Sequence, residues 1–235
     1  MVNKWMNFIQ ALLYPATCTL CGAPGDDDLD ICAHCRRELP DNRTCCRRCA
    51  APFAASADRH RICGRCIVDP PPFHRCITPF LYRPPVDTLI SGLKFQGKLG
   101  NGKLLSLLLV DFLKRNRVDL PDIIVPIPLH WKRVAERGFN QSLELARPVS
   151  AHLHLPLDST TCVRRIPTVP QLTLEKRSRL RNIRGAFDVR RDIGARHVVL
   201  LDDVVTTGAT VSELAAQLLQ RGAKKVDVWA LARTP

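Results

Sequence analysis

The stretch HVVLLDDVVTTGATV, residues 197–211, decides the fold of this chain. Residues 198–201 are all apolar, and so short a run is typical of a buried strand in a parallel sheet. Two carboxylates, Asp202 and Asp203, follow at once, and the chain is then expected to turn. The turn is predicted to be a loop of small residues whose backbone can approach a ligand closely. Its members are Thr206, Thr207, Gly208, Ala209 and Thr210.

A helix is predicted directly after this loop. Its apolar residues recur at helical spacing: Val211, Leu214, Ala215, Leu218 and Leu219. Thr210 and Glu213 can close a capping box at its start, and Gly222 is a suitable residue to end it. A strand, a loop and a helix in this order indicate an α/β protein with a ligand site at the carboxyl end of the strand.

The loop and the acid pair together indicate a site for a sugar phosphate. Unpaired N–H groups and the helix dipole converge at the start of the helix, which favours a phosphate there. Asp202 and Asp203 lie one step upstream and can accept hydrogen bonds from two vicinal hydroxyls of a sugar. The alternative is a plain strand-loop-helix in which both acids are solvated turn residues.

Composition and charge favour a two-part protein with an anionic partner. The chain has 235 residues, a net charge of +13 and eleven cysteines. Ten of those cysteines lie between Cys18 and Cys76, which predicts a separate small domain there. No apolar run reaches the roughly 18 residues of a transmembrane helix, and the N-terminus lacks a signal-peptide pattern. A reducing cytoplasm is therefore the expected location, where clustered cysteines bind metal more often than they form disulfides.

Four C-x-x-C pairs predict two structural zinc sites. The first site would use Cys18, Cys21, Cys32 and Cys35, and the second would use Cys46, Cys49, Cys63 and Cys66. Two such knuckles place four thiolates around a tetrahedral Zn²⁺, which stabilises a segment too small for a core of its own. Iron–sulfur clusters and redox dithiols remain alternatives. Cys45 and Cys76 are predicted to be spare thiols.

Three further elements are predicted outside these motifs. An N-terminal helix would carry one apolar face, made of Trp5, Phe8, Ile9, Leu12 and Leu13. That face is expected to dock on the protein's own core, with a membrane surface or a partner as the alternative. Residues 123–127 predict a short buried strand, and a helix is expected from Gln141, kinked or restarted at Pro148.

Two basic segments are candidates for binding a diphosphate. The first is a loop at residues 130–140, in which Arg133, Arg137 and Gly138 follow the buried strand. Guanidinium groups match the geometry of phosphate oxygens, so this loop can hold a diphosphate. The second segment, residues 164–191, is expected to be a mobile basic flap next to the site. A solvated basic loop is the alternative for each.

These motifs resemble those of known families. The segment VVLLDDVVTTGAT resembles the phosphoribosyl-pyrophosphate (PRPP) motif of type I phosphoribosyltransferases. Other motifs occur in the order and spacing of the ComF/GntX family: Leu93-Lys94-Phe95, Pro126-x-Pro128, Arg137-Gly138-Phe139-Asn140-Gln141, Gln171-x-x-Leu174, Arg179-x-x-Asn182 and Gly185-Ala186-Phe187. The resemblance implies a small N-terminal double zinc-ribbon domain at residues 1–76. It also implies a type I phosphoribosyltransferase-like parallel sheet flanked by helices at residues 77–235.

The resemblance further implies roles for individual residues. Asp202 and Asp203 would hold the ribose hydroxyls of PRPP, residues 206–210 would wrap its 5-phosphate, and Mg²⁺ would accompany PRPP. A flexible loop next to the site would include Gln171, Lys176, Arg177, Arg179 and Asn182.

The process implied by the resemblance is DNA uptake in natural competence, or the use of DNA as a nutrient. PRPP or another phosphorylated sugar would be the ligand, and single-stranded DNA and other DNA-uptake proteins are further candidate partners. Two alternatives stay open. One is an active phosphoribosyltransferase of nucleotide metabolism with an unknown acceptor, and the other is a non-catalytic adaptor that binds single-stranded DNA.

Overall fold

The computed structural model describes residues 15–26, 29–54, 61–166, 185–194 and 196–235. The predicted N-terminal helix lies outside these residues. So do all five predicted residues of the flexible loop: Gln171, Lys176, Arg177, Arg179 and Asn182. Those two predictions therefore stay predictions.

The described residues contain both strands and helices along the whole chain, as predicted for an α/β protein. The strands are β1 (Arg75–Ile77), β2 (Phe80–Leu81), β3 (Ile123–Pro126), β4 (Cys162–Arg164), β5 (Phe187–Val189), β6 (His197–Val205) and β7 (Lys225–Arg233). The helices are α1 (Ala33–Arg37), α2 (Gly64–Val68), α3 (Val86–Gln96), α4 (Leu99–Arg115), α5 (Trp131–Arg137), α6 (Gln141–Leu153) and α7 (Ala209–Gln220).

Five of these strands form one parallel sheet. Its order is β1-β7-β6-β3, and β2 pairs with the far end of β7. The central strands are apolar on both faces because helices cover both sides, and residues 198–201 are fully buried. The carboxyl ends of β3 and β6 lie at the same edge of the sheet, where open α/β sheets bind ligands.

The two cysteine-rich segments pack on different parts of the core. In the first, Ile31 and Leu39 join the cluster that includes Leu105 of α4, and Arg36 forms an ion pair of 2.7 Å with Asp111. The second segment contributes Ala50 to the apolar cluster on the opposite face of the sheet, and that cluster includes residues of α7. The predicted boundary between residues 76 and 77 falls inside β1, which pairs with β7, and it stays a prediction.

Two local expectations were wrong: a basic loop without a helix at residues 130–140, and a restart of the following helix at Pro148. The expected basic loop contains helix α5, which begins at Trp131 and ends where Gly138 takes a φ of 86°. Helix α6 runs through Pro148 without an interruption. Ala146 and Val149 on either side of the proline are fully buried, so packing outweighs the loss of one backbone hydrogen bond.

Candidate phosphate-binding site

The acid pair lies within strand β6, which continues through Val204 and Val205 before the predicted loop begins at Thr206. Asp202 is registered with Ala230, and the pairing continues to Val205 opposite Arg233. The neighbouring strand β7 therefore extends β6 beyond its apolar run. This extension places both carboxylates at the carboxyl edge of the sheet.

Asp202 is a half-buried carboxylate held by two hydrogen bonds. Its Oδ1 accepts from the Ser142 hydroxyl at 2.9 Å and from the backbone N–H of Asp203 at 2.9 Å. Burial and the adjacent charge of Asp203 raise the pKa of Asp202 to about 7, although Lys94 and both hydrogen bonds favour the ionised form. Close to neutral pH this group therefore exists in both protonation states.

Asp203 is neutralised by Lys94, which was not among the predicted site residues. The Lys94 Nζ lies 2.7 Å from Asp203 Oδ2, and both side chains are largely buried. The backbone N–H of Val204 donates to the other carboxylate oxygen at 2.7 Å. Lys94 belongs to the Leu93-Lys94-Phe95 motif, and that resemblance was the one signal in the sequence that singled it out.

The predicted phosphate loop connects β6 to helix α7. Gly208 is the N-cap residue with a φ of 81°, and no side chain caps the helix there. Only glycine takes this backbone conformation without strain, which fixes the role of Gly208 in the loop. The Thr207 hydroxyl accepts a hydrogen bond of 3.3 Å from the N–H of Ala209. The loop thus presents the positive end of a helix beside the acid pair.

The predicted capping box between Thr210 and Glu213 does not form. Because α7 begins at Ala209, Glu213 is its fifth residue and lies too far along the helix to reach the N-cap. Its carboxylate instead accepts from the N–H of Gly185 at 2.9 Å and from Gln217 at 3.0 Å. Glu213 thereby connects α7 to the residues just before β5.

The predicted diphosphate-binding arginines, Arg133 and Arg137, lie near each other, and Arg137 is close enough to Asp203 for their charges to interact. Arg137 donates to the Gln141 side chain at 2.6 Å, and its guanidinium carbon lies 5.5 Å from the Phe95 ring centre. Burial lowers the pKa of Arg137, while the charge of Asp203 opposes that shift. Arg133 is close enough to Arg137 to repel it electrostatically.

A further arginine, Arg164 at the end of β4, extends this basic rim. Burial and the charge of Arg133 lower its pKa, whereas Asp202 raises it. The guanidinium carbon of Arg164 lies 5.3 Å from the ring centre of Phe187 on the paired strand β5. From the sequence, Arg164 was predicted only to begin a basic flap. Its position in β4 could not be predicted, because the pairing of β4 with β5 is a contact between distant segments.

The eight predicted cysteine ligands form two clusters, as predicted. In each cluster all four Sγ atoms lie within 4.8 Å of one another. The backbone N–H of Cys35 donates to the sulfur of Cys32 at 3.4 Å, and that of Cys63 donates to Cys46 at 3.3 Å. Four converging sulfurs with N–H donors fit a structural zinc ion. Cys45 lies outside both clusters, and burial raises its pKa to about 11.

Comparisons with known proteins agree with this two-part organisation. Residues 9–67 match the double zinc ribbon domain model, and residues 140–235 match the phosphoribosyl transferase domain model. Among the described residues, none of the helices has the length and apolar character needed to cross a membrane.

Several curated proteins are similar over nearly the whole chain. DNA utilization protein YhgH of Escherichia coli K12 is 42% identical over 228 residues, which are 95% of this chain and 99% of that protein. Competence protein F of Haemophilus influenzae is 29% identical, covering 86% of this chain and 90% of its own length. A solved purine phosphoribosyltransferase from Pyrococcus horikoshii is 20% identical over 55% of this chain and 70% of that chain, with a TM-score of 0.34.

Proposed function

This chain belongs to the ComF/GntX family, and on that premise we propose that it serves DNA uptake or the use of DNA as a nutrient. It does so by binding a phosphorylated ribose such as PRPP beside Asp202. The names of its relatives, a DNA utilization protein and a competence protein, support the process. The phosphoribosyl transferase domain supports the ligand class.

One observation carries the ligand assignment: the acid pair and the start of helix α7 lie next to each other at the carboxyl edge of the sheet. Asp202 would accept hydrogen bonds from the ribose hydroxyls in its ionised form. The N–H groups of residues 206–210 would bind the 5-phosphate. Arg133 and Arg137 would neutralise the diphosphate.

The residues present also fit Mg²⁺ bound together with PRPP. Mg²⁺ prefers oxygen ligands and is commonly held by one or two carboxylates plus phosphate oxygens. Asp202 offers a half-buried carboxylate whose pKa of about 7 allows it to ionise at neutral pH. When bound, the metal would supply positive charge to the diphosphate, while Lys94 already balances Asp203.

A reducing cytoplasm is part of the same proposal. The described cysteines are free thiols, and a cytoplasmic redox state keeps such thiols available for zinc. Other proteins of DNA uptake are proposed partners because of the family to which the chain belongs.

Calorimetric titration of Mg·PRPP into the zinc-loaded protein tests this function. The wild type is expected to bind, and Asp202→Asn and Asp203→Asn are each expected to lose binding. Asp119→Asn removes the same charge at an exposed position outside the site and serves as the matched control. A folded wild type that does not bind Mg·PRPP would overturn the proposal. Release of diphosphate with an added nucleobase or amine would identify an active phosphoribosyltransferase.

A second candidate, binding of single-stranded DNA, is favoured by two exposed aromatic residues. Trp131 is 66% exposed with the Lys132 Nζ 5.7 Å from its ring, and Phe95 is 75% exposed beside Arg137. Bases of single strands stack on such rings while cations hold the phosphates. Trp131→Ala is expected to weaken binding of a fluorescent oligo(dT), measured by anisotropy, whereas Leu120→Ala is not. Equal affinities of the two variants would count against this surface.

A further inference from the structure

Two arginines from outside the phosphate site hold the backbone at the start of the phosphate loop. Arg65, in helix α2 of the second cysteine-rich segment, donates through Nη1 to the carbonyl of Thr207 at 3.0 Å. Arg233, at the end of β7, donates through Nη1 to the carbonyl of Val205 at 2.9 Å. It also donates to the carbonyl of Thr206. Three consecutive carbonyls, at the end of β6 and the start of the loop, are therefore bound by guanidinium groups.

Arg233 connects the same loop to a cysteine of the second zinc cluster. Its Nε donates to the backbone carbonyl of Cys49 at 3.2 Å, and the residue is only 7% exposed. Across the ion pairs of the described residues, none joins a carboxylate to Arg233. A buried cation requires compensation, and four thiolates around one Zn²⁺ carry a net negative charge. With zinc bound, the second cluster would place negative charge near Arg233, whose Nε binds the Cys49 carbonyl.

These contacts also determine where the loop N–H groups point. In a trans peptide unit the carbonyl and the following N–H point in opposite directions. Holding the carbonyls of Thr206 and Thr207 on the arginine side therefore directs the N–H groups of Thr207 and Gly208 away from it. Peptide groups fixed in this way are preorganised donors for an anion on the other side of the loop.

We propose that Arg65 and Arg233 are positioning residues through which the second zinc ribbon holds the phosphate loop in its binding conformation. This inference rests on the proposed binding of a ribose 5-phosphate group by residues 206–210. Zinc in the second ribbon then supports ligand affinity without touching the ligand. The first ribbon makes a different contact, because its Arg36 pairs with Asp111 on helix α4.

The test compares two ligands that carry a ribose 5-phosphate group, which residues 206–210 are proposed to bind, with one that lacks it. Mg·PRPP, ribose 5-phosphate and Mg·diphosphate are titrated into the wild type, Arg65→Gln and Arg61→Gln. Arg61 lies in the same ribbon, is exposed, and makes no side-chain hydrogen bond or ion pair within the described chain. Arg65→Gln should weaken PRPP and ribose 5-phosphate by about three- to tenfold, the effect of one hydrogen bond, and leave diphosphate unchanged. Arg61→Gln should match the wild type for all three ligands.

Hydrogen exchange provides a second readout that needs no ligand. Arg65→Gln is expected to raise amide exchange in residues 206–210 while exchange in β6 and a content of two zinc ions per chain stay unchanged. Arg233→Gln should show the same effect, and Arg233→Lys should restore part of the protection. Wild-type exchange in the loop of Arg65→Gln, together with wild-type affinity for ribose 5-phosphate, would overturn the inference. Failure of the wild type to bind any ligand would instead refute the proposed function, and loop exchange would still decide the positioning role.

Discussion

Replacement of Asp202 by asparagine is expected to stabilise the folded protein at pH 8 while it abolishes binding of PRPP. The amide has the shape of the carboxylate, and its oxygen can still accept from the Ser142 hydroxyl and the Asp203 N–H. What the substitution removes is the cost of ionising a half-buried carboxyl next to Asp203. Gain of stability with loss of binding is expected of a residue retained for function.

The magnitude follows from the pKa of Asp202, which folding raises from 3.8 to about 7. One pKa unit corresponds to about 1.4 kcal/mol, so ionisation costs about 4 kcal/mol more in the folded than in the unfolded protein. The pKa of Asp202 is higher in the folded than in the unfolded protein. The wild type is therefore most stable with respect to this group below about pH 4, and it loses that free energy of unfolding as the pH rises to about 7. Partial solvent access of the side chain reduces the expected net gain of Asp202→Asn to about 1–3 kcal/mol at pH 8.

Urea unfolding of the zinc-loaded protein at pH 6 and pH 8 measures this effect as a difference between variant and wild type. The advantage of Asp202→Asn should grow by about 1 kcal/mol between the two pH values. Asp158 is a control of opposite sign, because hydrogen bonds from Thr160 and Thr161 lower its pKa to about 2. Its contribution is lost only as the pH falls from about 4 to 2, so Asp158→Asn should lose about 2 kcal/mol equally at pH 6 and pH 8. No gain for Asp202→Asn at pH 8, or a gain independent of pH, would show that ionisation of Asp202 does not destabilise the folded protein.

Three further predictions concern the supports of the site. Lys94→Met leaves the buried Asp203 without its counter-charge and should cost about 3 kcal/mol in urea unfolding. The double variant Lys94→Met/Asp203→Asn should regain most of the lost free energy of unfolding. A double variant as unstable as Lys94→Met would contradict the ion pair. Asn140 caps helix α6 by accepting from the Ser142 N–H at 3.0 Å and donates to the Ile127 carbonyl at 3.1 Å. Asn140→Ala should therefore cost about 1–2 kcal/mol in thermal unfolding, and an unchanged melting temperature would exclude this role. Chelation of zinc should lower the melting temperature, and added Zn²⁺ should restore it, whereas insensitivity to chelators would argue against structural zinc.

Local patterns predicted much of this architecture. The apolar run at residues 198–201 predicted the central strand, and the helical spacing after Thr210 predicted α7, because both signals depend on near neighbours. The cysteine clusters were predicted for the same reason, since each C-x-x-C forms a local knuckle. The start of α7 was misplaced by two residues because Gly208, and not Thr210, is its N-cap and caps it without a side chain.

Features that depend on distant segments were not predicted. Strand β6 extends through the acid pair because β7 pairs with it, although two adjacent carboxylates do not favour a strand and only Val204 and Val205 after them do. Lys94 reaches Asp203 from helix α3, and Arg65 reaches Thr207 from the second zinc ribbon. Spacing along the chain carries no information on such contacts, because they arise only when the elements pack together.

A crystal structure of the zinc-loaded protein with Mg·PRPP would show where the ligand binds. We expect the 5-phosphate to accept hydrogen bonds from the backbone N–H groups of residues 206–210 and Asp202 to accept one from a ribose hydroxyl. Ligand bound elsewhere on the chain, or a site without ligand at saturating PRPP, would contradict this assignment of the binding site.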